Sequence, residues 1–579
     1  MRNPESNLFR KRGLILAAAV LVYCAIAGIP AGEGFNPSDD GVVLAQSWRI
    51  LQGEVPHRDF ISIRPAGSGY MHLLDYLLPG PLEWWSRLLV IYEYLIYSIL
   101  ITVFLIESWF PDQTRSLKIR LFYLVSAGIF LLNMNHYNLY AWTTIDALFW
   151  FSVALFSYKR WCVRKGYGRL FYGFLSILGC TASTLCRQTF LLPALILMIL
   201  VFRGLVRTGS GKAWLAAASG LLPGLLYAGL LTVTGSWGEF LRQMTGRTEL
   251  WQTGFAAFGD HFWKSYVFIL PGLALVTGLW QIWTSESGKK SRLIMSLLIT
   301  QKIIILIVIV LSSLAVFVLP AHLFSLSFTL FWMLTVAVML VYFTCWERKA
   351  ILGPAFWILL LAWTASISLG DNSPVFTTGW LAGCGLLLLL AHEEHKEALL
   401  RQRWVWLTGV LVVAALTALS VPAQRQQNYR DLPSAELTKT GGELFRDLDH
   451  IRMNPSVYSY FSDIRKIYEA TGLPKGRFAV WPNNPLIYRL LSSPNPFPLD
   501  WMQAAEFAGS EERLLREVKE KLSEEGMVIL VERYNAKWIA RDTVPLDWES
   551  GDYPYLDVLR GMTVEDPSGS VWFRLFRSK

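Results

Sequence analysis

The sequence predicts a polytopic α-helical membrane protein with a long, helical first outward loop and a small C-terminal α/β domain outside the membrane. Three observations indicate this. Apolar runs of about 16 to 27 residues recur along the chain, and runs of this length can span a bilayer. Only 17% of the 579 residues are charged, whereas soluble domains carry about 25%. Basic residues are gathered in the short segments between the apolar runs.

The apolar runs give about thirteen predicted spans within a membrane domain of residues 1–422. The first run follows Arg10-Lys11-Arg12, and we expect it to stay as an uncleaved helix because many spans follow it. The predicted spans are 14–30, 87–107, 120–134, 143–158, 169–186, 188–203, 214–234, 264–284, 293–319, 323–345, 350–369, 375–391 and 404–421.

The distribution of basic residues between the spans predicts their orientation in the membrane. With the N-terminus in the cytoplasm, the basic clusters near 115–120, 159–169, 203–212, 289–292, 348–349 and 396–403 all fall on the cytoplasmic side. This is the positive-inside pattern. An odd number of spans then places residues 423–579 outside, on the same side as the first loop. We therefore predict a multi-pass protein of the inner (plasma) membrane whose C-terminal domain is periplasmic.

The first outward loop, residues 31–86, is the longest polar segment between spans. Val43, Leu44, Trp48 and Leu51 form an apolar stripe on a predicted helix at 40–52, and a second helix is predicted at 66–78. Both helices suit the plane of the membrane interface. The tail, 423–579, shows β-like runs at 478–481, 527–532 and 571–576, with a helical stretch near 503–525, which predicts a small α/β domain.

The loop contains a pair of adjacent acids, Asp39-Asp40. A carboxylate at the membrane surface can take a proton from an acceptor hydroxyl, or orient it, while a lipid-borne sugar lies at the same depth. The alternative is helix capping, because Ser38, Asp39 and Asp40 precede a predicted helix whose first N–H groups need acceptors.

Further charged residues accompany the pair. An arginine near the membrane needs an anion, and phosphate is a natural one, although pairing of Arg58, Arg64 or Arg187 with Asp59 or Asp146 is an equal alternative. His57 is weaker evidence because a histidine in a loop is more often solvated. Asp146 is a candidate supporting acid, with an interhelical hydrogen bond as its alternative role. The sequence His392-Glu393-Glu394-His395 lacks the spacing of zinc proteases. No metal ligands are predicted, no cofactor is certain, and a divalent metal is compatible but not indicated.

These residues resemble a known class. The run DDGVVLAQSWRILQGEVPHRDF followed by Arg64-Pro65 is similar to the first outward loop of GT-C membrane glycosyltransferases. More narrowly, it resembles the protein O-mannosyltransferase-like family (glycosyltransferase family 39-like) that includes the aminoarabinose transferases acting on lipid A. That family typically has Glu as the second acid and Tyr at the position of His57. The motif covers about 30 residues, and the layout of spans and outward tail covers most of the chain.

The resemblance implies Asp39 as the catalytic carboxylate with Asp40 in support, and Arg64 and Arg187 as ligands of the donor phosphate. We expect an inverting glycosyltransferase that moves a sugar from a polyprenyl-phosphate donor to a lipid, glycan or protein acceptor outside the cytoplasm. Membrane lipids are further partners, and the basic balance does not imply nucleic acid. Two other classes remain open: a lipid-linked saccharide transporter or flippase, and a non-enzymatic cell-envelope assembly protein.

Overall fold

The computed structural model describes residues 30–135, 139–207, 211–246, 252, 254–256, 292–318, 324–344, 353–367, 374–391, 400, 402–426, 428–549 and 553–579. The predicted spans at 14–30, apart from Pro30, and at 264–284 lie outside these residues, as does the segment 392–399 with its two histidines.

Long apolar helices dominate the first 426 residues. Each of the other predicted spans falls on a helix, because runs without charge bury their backbone polar groups most completely as helices in lipid. These helices are α3 (Leu82–Trp109), α4 (Arg115–Met134), α5 (Thr143–Val163), α6 (Gly166–Cys186), α7 (Leu191–Val206), α8 (Gly211–Val233), α10 (Arg292–Val318), α11 (Phe324–Thr344), α12 (Pro354–Ser366), α13 (Thr378–Ala391) and α14 (Arg403–Gln426).

Six of the described helices are long and apolar enough to cross a membrane. On α8 and α14 most of the apolar stretch is not covered by protein: only 22% and 11% of it is buried. Large apolar side chains such as Leu407 and Leu411 therefore stand exposed on α14, as they do on helices that face lipid. The protein is thus a multi-pass membrane protein.

The first loop folds as a helix, a turn and a second short helix. Helix α1 covers Val42–Leu51, and α2 (Gly67–Met71) continues as a 3₁₀ turn, His72–Leu77. Both predicted helices are thereby confirmed. The predicted place of α1 on the membrane interface is wrong, because Leu44 is buried in the core of the C-terminal domain and Val43 is buried in the core of the helical bundle.

The tail contains a four-stranded mixed sheet with strands β3 (Phe478–Trp481), β4 (Val528–Glu532), β5 (Thr563–Asp566) and β6 (Phe573–Ser578) in the order β3-β4-β6-β5. Strands β3 and β4 are parallel and wholly buried, as continuous apolar strands usually are. The tail also contains the two-residue strands β1 (Lys439–Thr440) and β2 (Arg452–Met453), and the helices α15 (Pro455–Thr471), α16 (Ile487–Leu490), α17 (Glu511–Leu522) and α18 (Tyr555–Met562). Outside the tail, the short helix α9 (Trp237–Thr245) follows α8.

The first loop and the tail share one hydrophobic core. Phe35, Leu44 and Ile61 of the loop pack in the same cluster as the strands of the tail. The main chains are also joined, because Ile61 N–H donates to Pro498 O at 2.7 Å and Arg452 N–H donates to Gly32 O at 2.7 Å. The loop and the tail therefore lie on the same side of the helical bundle.

Candidate functional site

The acidic pair lies in a tight turn between the loop entry and α1. Asn36 Oδ1 accepts hydrogen bonds from the N–H groups of Ser38 and Asp39, both at 3.1 Å, which is the local closure that Asn favours in turns. Gly41 then takes a φ of 86°, and a Cβ there would lie 2.6 Å from Leu486 Cβ. Gly41 is itself the N-cap of α1, with no side-chain capping bond. The helix-capping interpretation of Asp39 and Asp40 is therefore wrong.

Asp39 is held from the tail. Its Oδ2 accepts a hydrogen bond from the Tyr429 hydroxyl at 2.7 Å and pairs with the Arg430 guanidinium. That guanidinium also lies over the rings of Tyr429 and Trp538. Among the residues that the structure describes, no hydrogen bond reaches Asp39 Oδ1. One carboxylate oxygen is thus fixed and the other remains available to a ligand.

Asp40 is held from the membrane domain. Its Oδ2 accepts from Asn36 N–H and from Arg87 Nη2, both at 2.9 Å. Arg87 also pairs with Glu83 at 3.0 Å and donates to three main-chain carbonyls in residues 31–34. Burial raises the pKa of Asp40 to about 7, with Arg87 opposing and Glu83 adding to the shift. Asp40 therefore anchors the turn onto α3 and positions Asp39.

Arg64 is paired with the tail rather than open to solvent. Its two Nη atoms donate to the two carboxylate oxygens of Glu506, each at 2.9 Å. Its guanidinium also lies over the Trp142 ring, 5.6 Å from the centroid. A phosphate at Arg64 would have to share or displace Glu506.

An aromatic row joins Arg64 to the aspartate turn. The rings of Trp142 and Tyr140 are 5.6 Å apart, and those of Tyr140 and Tyr429 are 5.7 Å apart. Tyr429 is the residue that donates to Asp39. Asp39 and Arg64 therefore border the same segment, the one that leads into α5.

Arg187 borders that segment from another side. It follows α6, and its Nη1 contacts the hydroxyls of Thr143 and Thr144 at the start of α5. Its Nη2 donates to Ile367 O at 2.7 Å. The structure thus gathers Asp39, Arg64 and Arg187 around residues 140–144.

The other predicted loop residues lie apart from this group. Arg58 and Asp59 pair with each other on the surface at 2.7 Å. His57 is fully buried, so the expectation of a solvated histidine is wrong. Its ring contacts Gln243 Oε1 and the Tyr227 hydroxyl, both at 2.6 Å. Burial lowers the pKa of His57 to about 4, which keeps the imidazole neutral.

Asp146 belongs to a second buried polar cluster. It lies in the first turn of α5, and its Oδ1 is 3.3 Å from His72 Nε2. His72 Nδ1 is 2.8 Å from Asp75 Oδ2, and Glu93 of α3 completes the group. Burial lowers the pKa of His72, but Asp75 and Asp146 outweigh burial and raise that pKa well above its usual value. Asp146 therefore contacts His72 of the first loop, in addition to lying close to Glu93 of the neighbouring helix α3.

Three members of this cluster, His72, Asp75 and Glu93, were not predicted as site residues from the sequence. His72 and Asp75 are three residues apart, which places them on one face of a helical turn. Glu93 is an acid within an apolar run, and such residues are usually functional or paired. Both patterns are visible in the sequence, but neither predicts that the first loop and α3 lie next to each other.

An apolar cavity of about 610 Å³ opens between the first loop and the bundle. Loop residues form one wall, and residues of α5, α6 and α8 form the others. Its floor includes Cys186, at the end of α6. The cavity is lined by Gly67, Tyr70, Met71, Leu74, Trp150, Leu178, Ala182, Leu185, Cys186, Pro223, Leu226, Tyr227 and Leu230.

Comparisons with known proteins found no relative of this chain. No protein-family model, no curated protein and no solved structure matches this chain.

Proposed function

We propose that the protein is an integral-membrane glycosyltransferase that moves a sugar from a polyprenyl-phosphate donor to an acceptor outside the cytoplasm. The observation that carries the proposal is Asp39: a buried carboxylate with one oxygen fixed by Tyr429 and Arg430 and the other without a hydrogen bond among the described residues. Such a group is pre-organised to receive a proton or to orient a hydroxyl.

The reaction divides between acceptor and donor. Asp39 Oδ1 takes the proton of the acceptor hydroxyl, or orients it, as the hydroxyl oxygen attacks the anomeric carbon. The bond from that carbon to the phosphate oxygen breaks with inversion, and the polyprenyl phosphate leaves as a stable anion. A protonating general acid is therefore not required, in contrast to glycoside hydrolysis.

The donor has a lipid part and a phosphate part. The apolar cavity has the volume of a small-molecule site, and its walls of leucine, tyrosine and tryptophan suit part of an isoprenoid chain. Arg64 and Arg187, which border residues 140–144 together with Asp39, supply the positive charge for the phosphate. Donor binding at Arg64 then loosens its pair with Glu506.

The basic clusters between the apolar runs support an outward-facing site. In the proposed arrangement about thirteen spans cross the inner membrane, the N-terminus is cytoplasmic, and the tail is periplasmic. The tail contributes Tyr429 and Arg430 to the site, and in this position it selects the lipid, glycan or protein acceptor.

A second candidate function is transport of a lipid-linked saccharide. The observation that favours it is the buried cluster of His72, Glu93 and Asp146, because ionisable groups between membrane helices often mark ion or substrate pathways. A transporter uses such a cluster for coupling and has no need of a catalytic Asp39. A non-enzymatic assembly protein needs neither group.

The test is a transfer assay with the purified full-length protein in nanodiscs. A panel of radiolabelled polyprenyl-phosphate sugars is combined with membrane lipid, glycan and protein acceptors. The proposal predicts a labelled acceptor with at least one donor. Movement of a lipid-linked saccharide across liposomes without any labelled product would instead establish transport.

A further inference from the structure

The cluster beneath the first loop has the composition of a metal site. His72 lies in the 3₁₀ turn of the loop, Glu93 in the fourth turn of α3, and Asp146 in the first turn of α5. One imidazole nitrogen and two carboxylate oxygens of these residues lie within 4.8 Å of one another. All three side chains are buried. We propose that His72, Glu93 and Asp146 bind one divalent transition-metal ion, of the class of Zn²⁺ or Mn²⁺.

The geometry is close to that of coordination. Zinc is bound by histidine nitrogen and carboxylate oxygen at about 2.0–2.2 Å in a tetrahedral arrangement, so two ligand atoms of one ion are about 3.3–3.6 Å apart. The three ligand atoms lie within 4.8 Å of one another, so each would move toward the ion by about 1 Å or less on binding. The three residues come from three elements, so the ion would join the first loop to two helices of the bundle.

Two carboxylate oxygens of the cluster lack a hydrogen-bond donor among the described residues. Glu93 Oε2 and Asp146 Oδ2 are buried and accept no hydrogen bond within the described part of the chain. A buried carboxylate oxygen without a partner is unfavourable. A cation among these atoms satisfies both oxygens at once.

Asp75 supplies the support that a metal-binding histidine usually has. His72 Nδ1 is 2.8 Å from Asp75 Oδ2, which leaves Nε2 facing Asp146. Histidines that bind metal through one nitrogen commonly donate the other N–H to a carboxylate, and this fixes the tautomer and the ring orientation. Asp75 is therefore a positioning residue rather than a ligand.

The donor set selects the class of ion. Imidazole suits zinc and other late transition metals, and carboxylate suits manganese and magnesium. A mixed set of one imidazole and two carboxylates therefore favours Zn²⁺ or Mn²⁺ over Mg²⁺. The alternative occupant is a proton shared within the cluster, with His72 charged and one carboxyl neutral.

The test measures metal binding by the full-length protein in nanodiscs, without a histidine tag. Chelator-treated protein is titrated with Zn²⁺ and with Mn²⁺, followed by calorimetry and elemental analysis. We expect one ion per chain with at least one of the two metals. Glu93→Gln and Asp146→Asn should each weaken binding by at least 100-fold, and Asp75→Asn by about 10–100-fold.

Two controls separate this site from others. Asp59→Asn changes a partly exposed acid of the same loop, which pairs with Arg58, and should leave the metal affinity unchanged. The double change His392→Ala and His395→Ala replaces two histidines outside the proposed site and should also leave the metal affinity unchanged. If Glu93→Gln does not fold, the second readout is the metal-dependent rise in the melting temperature of wild type, which Asp75→Asn should shift to about 10–100-fold higher metal concentrations.

Three results would overturn the site: no ion bound by wild type, unchanged affinity in both Glu93→Gln and Asp146→Asn, or loss of the ion only in the double histidine variant. The first two would leave the cluster as a protonated network. None of these readouts depends on sugar transfer, so the metal site and the proposed function can fail separately.

Discussion

At the scale of single residues, the partner decides what each charged group of the first loop does. Asp39 and Asp40 are adjacent and identical in type, yet Asp39 contacts the tail and Asp40 contacts α3. Asp40 shares Arg87 with Glu83, so one cation serves two buried carboxylates. Asp39 has Arg430 and Tyr429 on one oxygen. We therefore propose the chemical role for Asp39, whereas Asp40 anchors the turn to α3.

His57 gives a prediction about pH. Its pKa is about 4 in the folded protein and 6.5 in the unfolded chain, so between these values the unfolded state binds a proton that the folded state does not. Stability is therefore present above pH 6.5 and is lost as the pH falls to 4. The loss is about 3 kcal/mol, at about 1.4 kcal/mol per unit of pKa difference. His57→Asn should flatten this dependence.

The measurement is the apparent melting temperature of detergent-solubilised protein between pH 7 and pH 4. His450→Asn is the matched control, because His450 also has a positive φ, 63°, but its side chain is exposed. An equal pH dependence in wild type and His57→Asn would show that His57 does not carry the effect.

The candidate residues were predictable from the sequence, but their partners were not. Asp39, Arg64 and Arg187 stood out as charges beside apolar runs. Tyr429 and Arg430 lie about 390 residues further along the chain, and no local pattern links them to Asp39. His57 was misjudged because a loop position predicts exposure, whereas Gln243 and Tyr227 cover it.

At the scale of elements, the close approach of α2 to α6 shapes the apolar cavity. A Cβ at Gly67 would lie 2.4 Å from the main-chain carbon of Leu185. Gly67→Ala should therefore push α2 away from α6 and cost about 1–3 kcal/mol of stability, as overpacking does. The measurement is thermal unfolding, with binding of a fluorescent isoprenoid phosphate as a second readout.

Gly128 is the matched control for this change. It also lies in a helix, α4, but a Cβ there would meet nothing within 4 Å. Gly128→Ala should be neutral or slightly stabilising because alanine favours helix. Equal effects of the two substitutions would contradict the close packing of α2 on α6.

The sequence predicted the long helices and the central strands because their signal is local. A run of apolar residues without charge forms a helix in lipid, and FAVW and VILVE are typical buried strands. Strand β5 and helix α15 were not predicted. β5 has the polar sequence TVED and exists through its pairing with β6, where Glu565 meets Arg574 and Asp566 meets Arg577. The strand therefore depends on a tertiary contact that the local sequence does not reveal.

At the scale of the whole molecule, the first loop and the tail form one unit above the bundle. Positive-inside counting already placed them on the same side, and their shared core agrees with this. The counting could not predict that α1 is covered by the tail, because an amphipathic stripe suits a lipid surface and a protein surface equally well.

The pair between Arg64 and Glu506 tests this unit. Both side chains are mostly buried, at 12% and 6% exposure, and removal of one partner of such a pair costs about 3–5 kcal/mol. Arg64→Glu and Glu506→Arg should each lower the melting temperature and expose the loop to protease. The double variant should recover part of the loss, because the opposite charges meet again.

The measurement for the pair is a double-mutant cycle on melting temperature. Additive losses in the double variant would show that the two residues do not interact in the folded protein. Glu565→Arg with Arg574→Glu, a pair on the surface of the tail, is the control and should have a much smaller effect.

The most direct test of the proposed function is the rate of sugar transfer by Asp39→Asn. We expect a loss of about 10²–10⁴-fold, the usual contribution of a positioned acid–base group, with donor affinity within a few fold of wild type. Asp449→Asn, an exposed acid of the tail, serves as the control and should transfer at the wild-type rate. Transfer by Asp39→Asn at the rate of wild type would contradict the role assigned to Asp39.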